Sequence, residues 1–310
     1  MTHLSKRFAE ALLCAALLLT HIAVVPLLQA NDLSSTAQKL HFDQLKLRLV
    51  NDGISSDAVD SWFSDDRFEV ISSLLRVNVR QPSATAGYSR FLGEESVQQA
   101  SEFLIENRGL LEGVLAGSPV DPAVVVAILQ VESSLGKYKG TYPLFNVFAS
   151  LTLLEAEELS EVSPTFWDEV LRDIPEAEHP AMRSRAKDRA RSKSRWAYRE
   201  LRALFTMAEK GQLDPLETRG SWAGAFGMSQ FLPTSAQAYA RDGDGDGRID
   251  LDKLPDAAAS IANYLKVHRY SRTEPAKRRK AVWHYNHSDE YVECILTLAD
   301  KIEERVATAQ

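Results

Sequence analysis

Asp121-Pro122-Ala123-Val124-Val125-Val126-Ala127-Ile128-Leu129-Gln130-Val131-Glu132-Ser133-Ser134-Leu135-Gly136 decides the fold. Asp121 is an N-cap residue, Pro122 suits the first helical turn, and Gly136 is a stop signal. The spacing therefore predicts a helix from Pro122 to about Leu135. Its body is apolar all round, so it belongs inside a helical core. Glu132 rides at its C-terminal end. A carboxyl delivered by an oily helix is partly desolvated, and desolvation raises its pKa. Such an acid can hold a proton near neutral pH and protonate a leaving oxygen. Periodicity alone also allows a Glu at the solvent edge of a core helix.

Helical periodicity extends outward from this stretch, and strand alternation is scarce. Helices are expected over Ser34–Asn51, Ser56–Phe63, Glu94–Asn107, Trp196–Lys210, Ala257–His268 and Glu290–Ala307, while Val70–Asn78 reads equally as helix or strand. Charge is segregated between Glu155 and Arg199, acidic first and basic after. That pattern predicts solvated helices that attract one another, or a basic face toward anionic wall polymer or lipid headgroups.

The chain of 310 residues is 45% hydrophobic and 25% charged, with a net charge of −7. These values describe a globular protein and argue against nucleic acid as the main partner. Lys6 and Arg7 precede an apolar stretch from Ala11 to Leu28 that ends in Gln29-Ala30. This is the order of an export signal, cleaved after Ala30 or retained as an anchor. Ala11-Leu12-Leu13 before Cys14 lacks the small residue that precedes a lipidated cysteine. No later stretch is long and apolar enough to span a bilayer. Cleavage would leave Cys294 alone, without an intramolecular disulfide and in an apolar helix pattern, which reads as packing. Export without disulfides fits an envelope protein with a sizeable core.

Three further segments carry chemistry. Gly220-Ser221-Trp222-Ala223-Gly224-Ala225-Phe226-Gly227-Met228-Ser229-Gln230-Phe231-Leu232-Pro233 interleaves glycine, amide, hydroxyl and aromatic groups. Ser221, Gln230 and Phe231 suit sugar rings, which have apolar faces and polar edges; close packing alone would also use the small residues. Asp242-Gly243-Asp244-Gly245-Asp246-Gly247-Arg248-Ile249-Asp250 is the front of an EF-hand loop. Asp242, Asp244 and Asp246 offer carboxylates and Arg248 its carbonyl. Lys253 stands where the bidentate Glu belongs, and Asp256 is the replacement; a solvated acidic turn is the alternative. Trp283-His284-Tyr285-Asn286-His287-Ser288-Asp289-Glu290-Tyr291 offers donors and ring faces, or a surface turn. Its His pair lacks a third nearby ligand for zinc.

Taken together and in this order, Val131-Glu132-Ser133, the Gly220–Pro233 segment, the Asp-rich loop, Ala262-Asn263-Tyr264 and Tyr285-Asn286-His287-Ser288 resemble the membrane-bound lytic transglycosylase B family. The resemblance covers most of residues 90 to 305. It implies a mainly α fold, with a lysozyme-like helical catalytic domain and an EF-hand-like calcium loop. It implies Glu132 as the single catalytic acid and base. It implies Ser221, Gln230, Phe231, Tyr264, Tyr285, Asn286 and Tyr291 as substrate-binding residues. Asp242, Asp244, Asp246, Arg248 and Asp256 match the Ca2+ positions, with a structural ion and no organic cofactor. The expected organisation is a signal or anchor over 1–30, a helical region over 31–120 and the catalytic domain over 121–310. The family usually has Thr where this chain has Ser133, which keeps the hydroxyl. The charged stretch near 160–195 looks longer than the family norm and suggests an inserted helical hairpin.

The implied partner is the peptidoglycan glycan strand, met in the periplasm or cell envelope by a monomer that also approaches the membrane surface. The implied reaction cleaves the bond between N-acetylmuramic acid and N-acetylglucosamine without water, closing a 1,6-anhydro ring. Two rivals remain open at this point. One is a hydrolytic lysozyme-type muramidase, which needs a second carboxylate. The other is a non-catalytic calcium-dependent glycan-binding envelope protein.

Overall fold

The computed structural model describes residues 36–79, 87–156, 159, 163 and 165–308. The export segment over 1–30, and with it Cys14, lies outside these residues, as does part of the acidic stretch after Glu155. Among the described residues the protein is mainly α, with thirteen α-helices and one short antiparallel pair, Tyr142–Pro143 with Arg219–Gly220. The chain forms two compact units that interleave along the sequence. One holds residues 87–141 and 225–308, the other 36–79 and 142–224. Helices far apart in sequence pack together in each unit.

In the first unit the helix Pro122–Ser133 is the centre. Ala123 through Val131 are all buried. The helix packs against the C-terminal helix Asp289–Thr308 and against Glu94–Glu106. An interior helix with no polar face needs neighbours on every side, and these helices supply them. Cys294, a free thiol, is buried in the Asp289–Thr308 helix, in keeping with a packing role.

The central helix ends at Ser133, two residues before the expected end at about Leu135. Ser134, Leu135 and Gly136 follow in the left-handed region at φ 49°, 60° and 88°. Only the last is free of the cost that L side chains incur there. Ser133 explains the early end. Its hydroxyl oxygen accepts the Gly136 N–H at 3.0 Å, which turns the chain back before another helical turn can form.

The second unit is built on Leu144–Thr152, every residue of which is buried, packed along the helix His179–Glu209. Phe145 sits in a ring cluster with Trp62, Phe63, Phe68 and Phe205. The ambiguous Val70–Asn78 stretch resolves as the helix Ser72–Val79. The basic run and the Trp196–Lys210 pattern merge into one helix of 31 residues. No Gly or Pro interrupts it after Pro180, and Ala186, Ala190, Ser194, Ala197, Leu201 and Leu204 keep a buried stripe at helical spacing.

Candidate active site

The carboxyl of Glu132 emerges where the buried helix stops. The Tyr291 hydroxyl donates to Glu132 Oε1 at 2.7 Å, and Oε2 is buried with no hydrogen-bond partner. The residue as a whole is half-buried, so its stem keeps some access while the acid group is enclosed. Burial disfavours the charged form and the Tyr291 bond favours it; burial dominates, and the pKa is pushed up to about 7. Among the described residues no second carboxylate perturbs this group.

Tyr291 is itself fully buried on the Asp289–Thr308 helix. Its ring stacks on Tyr285 at 6.5 Å and meets Tyr88 edge-on at 5.7 Å. Tyr285 and Tyr264 lie 5.0 Å apart, and Phe231 stands 5.8 Å from each. Phe231, Tyr264, Tyr285 and Tyr291 therefore gather with Glu132, and Gln230 and Asn286 lie in the same unit. Ser221 belongs to the other unit, where its hydroxyl accepts the Ala223 N–H.

The tyrosines divide their duties in a way their spacing does not reveal. Tyr264 donates its hydroxyl to the His284 carbonyl at 2.6 Å, and Tyr285 donates to the Ser229 carbonyl at 2.6 Å. Both hydroxyls are committed to main chain. Of the three tyrosines only Tyr291 bonds the acid. Tyr88, 8% exposed, shares a side-chain hydrogen bond with Asn286 and joins the cluster from a short 3-10 turn. It was missed because a lone tyrosine near the Glu94 helix carries no periodic or motif signal. Ser229 was overlooked inside a segment already singled out. Its hydroxyl and the Asn286 amide oxygen are, like Glu132 Oε2, buried without partners. Orphaned polar atoms are rare in folded proteins, and several sharing one cluster suit a polar ligand.

The Gly220–Pro233 segment supports this arrangement from behind. Ser133 Oγ donates to the Met228 carbonyl at 2.8 Å, and the Met228 N–H donates to the Leu251 carbonyl at 2.8 Å. Gly227, at φ 70°, lies so close to Leu251 that a Cβ would stand 2.5 Å from that residue's Cβ. Gln230 is held at φ 50° while its amide N–H donates to the Gly227 carbonyl at 2.9 Å. In the second unit, a Cβ on Gly224 would stand 2.1 Å from Phe148. Close approach thus accounts for both glycines.

The Asp-rich loop hangs from Asp256, a fully buried carboxylate. It accepts the N–H groups of Gly243 at 2.8 Å and Asp250 at 2.6 Å, clamping both ends of the loop to the helix Leu254–Val267. Asp242 accepts the N–H groups of Gly245 and Gly247. Carboxylate oxygens of Asp242, Asp244 and Asp256 lie within 4.8 Å of one another, a hard-oxygen set that fits a hard dication. Asp246 is not in this group; it pairs with Lys253 at 2.9 Å, the residue at the position where a bidentate Glu was missing. The Arg248 N–H donates to Asp246.

The transglycosylase SLT domain family matches residues 37–282. The membrane-bound lytic murein transglycosylase B of Escherichia coli K12 is 28% identical over 196 residues, covering 62% of this chain and 45% of that protein. The matched stretch thus spans less than half of that relative's length. The E. coli lytic transglycosylase Slt35, solved in complex with calcium, superposes with a TM-score of 0.66 at 20% identity, over 86% of this chain and 94% of that one. SltB3 of Pseudomonas aeruginosa, solved with NAG-anhNAM-pentapeptide, gives a TM-score of 0.68 at 21% identity, over 86% and 79%. At such identities the likeness establishes the fold, the lysozyme-like one of the lytic transglycosylases.

Ser133→Ala would orphan the Met228 carbonyl and the Gly136 N–H at the foot of the acid, at a cost of about 1–3 kcal/mol. Ser133→Thr retains the hydroxyl. Thermal melts should rank parent and Ser133→Thr together and well above Ser133→Ala.

Proposed function

Because the chain belongs to the transglycosylase SLT domain family, we propose that it is a lytic transglycosylase that cleaves peptidoglycan between N-acetylmuramic acid and N-acetylglucosamine to leave 1,6-anhydro ends. The observation that carries the reading is the enclosed Glu132 carboxyl, its pKa pushed up to about 7, with one oxygen held by Tyr291 and the other unpartnered. Protonated, Glu132 donates to the glycosidic oxygen as the bond breaks. The carboxylate so formed takes the proton from the C6 hydroxyl of the muramic residue as that oxygen closes on the anomeric carbon. Tyr291 stabilises this carboxylate between the two proton transfers, a charge that burial alone would penalise.

A hydrolytic muramidase needs a second carboxylate to place water. Product mass separates the two readings, because anhydro ends are one water lighter than reducing ends. Binding falls to the ring faces of Phe231, Tyr264 and Tyr285 and to the amides of Gln230 and Asn286. The charged-then-apolar order of Lys6 to Ala30 fits a place in the cell envelope.

Asp242, Asp244 and Asp256 would hold Ca2+, with the Arg248 carbonyl as a further oxygen and Asp246 joining once freed from Lys253. The ion's contribution is charge neutralisation among crowded carboxylates, not chemistry on the substrate. Asp256 and the Leu251 carbonyl tie the loop to Met228 and thus to Ser133, so the loop supports the acid.

Two outcomes test these assignments. Digestion of purified sacculi followed by mass analysis should give products one water lighter than reducing ends, and Glu132→Gln should reduce their release by about a thousandfold or more. Parent activity should fall as pH rises through about 7; hydrolytic products, or an active Glu132→Gln enzyme, would reject the mechanism. Separately, a calcium chelator should lower the melting temperature of the parent, and an unchanged melt would remove the metal assignment.

A further inference from the structure

We propose that one face of the second unit is a docking surface for an anionic lipid bilayer. The face is formed by the outer side of the helix Thr36–Asn51 and the adjoining arginines of the helix His179–Glu209. The proposal rests on the envelope location inferred above and is independent of the activity.

The first helix buries Leu45 and Leu49, and its opposite side should be polar. Instead Leu40, Leu47 and Val50, at i, i+7 and i+10, share the outward side and are 58%, 66% and 40% exposed. The C-terminal end of this helix meets the long helix at Tyr198 and Arg202. The Arg48 guanidinium lies 3.7 Å over the Tyr198 ring, the Tyr198 hydroxyl donates to Asp52 at 2.7 Å, and Arg202 pairs with Asp52 at 3.5 Å. Beside these contacts Arg191, Arg195 and Arg199, at i, i+4 and i+8, form an exposed row. None of the three pairs with a carboxylate among the described residues. Besides Asp52, the carboxylates of this region include Asp188 near the start of the row, Asp43 beside Lys46 on the outward side of the first helix, and Glu155, which pairs with Arg48.

Exposed leucines on one helix and unneutralised arginines on the helix it meets match the boundary between acyl chains and phosphate headgroups. A wall polymer offers anions but no apolar phase, so it would leave Leu40, Leu47 and Val50 without a counterpart. A protein carrying −7 is repelled by an anionic surface unless a local basic face turns toward it. Chain connectivity points the same way. The stretch Ala11–Leu28 holds no Asp, Glu, Lys or Arg, and seven residues separate it from Thr36. Seven residues reach at most about 25 Å. If that stretch is retained in the bilayer, the first helix is delivered to its surface.

The test uses the full chain with Cys14→Ser and Leu47→Cys, labelled at position 47 with an environment-sensitive fluorophore; Cys294, 2% exposed, stays unlabelled. On phosphatidylglycerol-containing vesicles doped with a nitroxide lipid, the probe should shift to the blue and be quenched. Adding Arg195→Glu and Arg199→Glu should reduce the quenching to the level seen on phosphatidylcholine vesicles. The probe's emission staying the same on vesicles as in solution would overturn the proposal. So would quenching indifferent to the arginine changes, or an equal blue shift on lipid-free sacculi, which would assign the face to wall polymer. Sacculus digestion by the same variants keeps this result separate from the catalytic assignment, since Arg195 and Arg199 are absent from the site around Glu132.

Discussion

Everything in the site depends on one carboxyl group being withheld from water. Glu132 stands at the end of a helix whose preceding nine residues are buried, and its acid group meets one hydroxyl and no other partner. Two opposed effects set its proton affinity. Burial removes the hydration that a carboxylate needs, and the Tyr291 hydroxyl returns part of it as a single hydrogen bond. The balance lies near neutrality, which suits the proposed role of giving and then recovering a proton. In the proposed reaction, a better-solvated acid would be ionised before it met the glycosidic bond, and a more deeply isolated one would not accept the charge afterwards.

That balance needs a fixed end to the helix, and the structure fixes it with backbone rather than with salt bridges. Ser133 stops the helix and grips the Met228 carbonyl, while Met228 is held by Leu251 at the close of the Asp-rich loop. Asp256 then clamps the loop to the next helix. Each link joins groups with few alternative partners, and buried polar atoms that lose a partner are costly. The acid is thereby positioned by a relay of short bonds starting at the loop, through which a cation held there would act without touching substrate.

Much of this was legible in the chain. The Asp121-Pro122 start and the uninterrupted apolar body identified the central helix, because capping and burial are local signals. The glycines of the Gly220–Pro233 segment announced close approach, and Gly224 and Gly227 have it. Other features depended on contacts that sequence spacing does not encode. The helix end moved from about Leu135 to Ser133 because the Ser133 hydroxyl accepts the Gly136 N–H while donating to the distant Met228 carbonyl. Tyr264 and Tyr285 looked equivalent to Tyr291, yet their hydroxyls went to main-chain carbonyls. Tyr88 joined through a contact across more than two hundred residues with Tyr291. The interleaving of the two compact units is likewise a tertiary choice, invisible to periodicity.

The most direct measurement is a site-resolved titration of the Glu132 carboxyl in the folded protein, followed by carbon-13 chemical shift with Glu132→Gln identifying the resonance. The carboxyl should titrate near pH 7, and Tyr291→Phe should move the midpoint higher, since the hydroxyl favours the ionised form. A midpoint at the ordinary glutamate value near 4.5 would contradict the account, because the acid would then be open to water and ionised at the pH where it must donate.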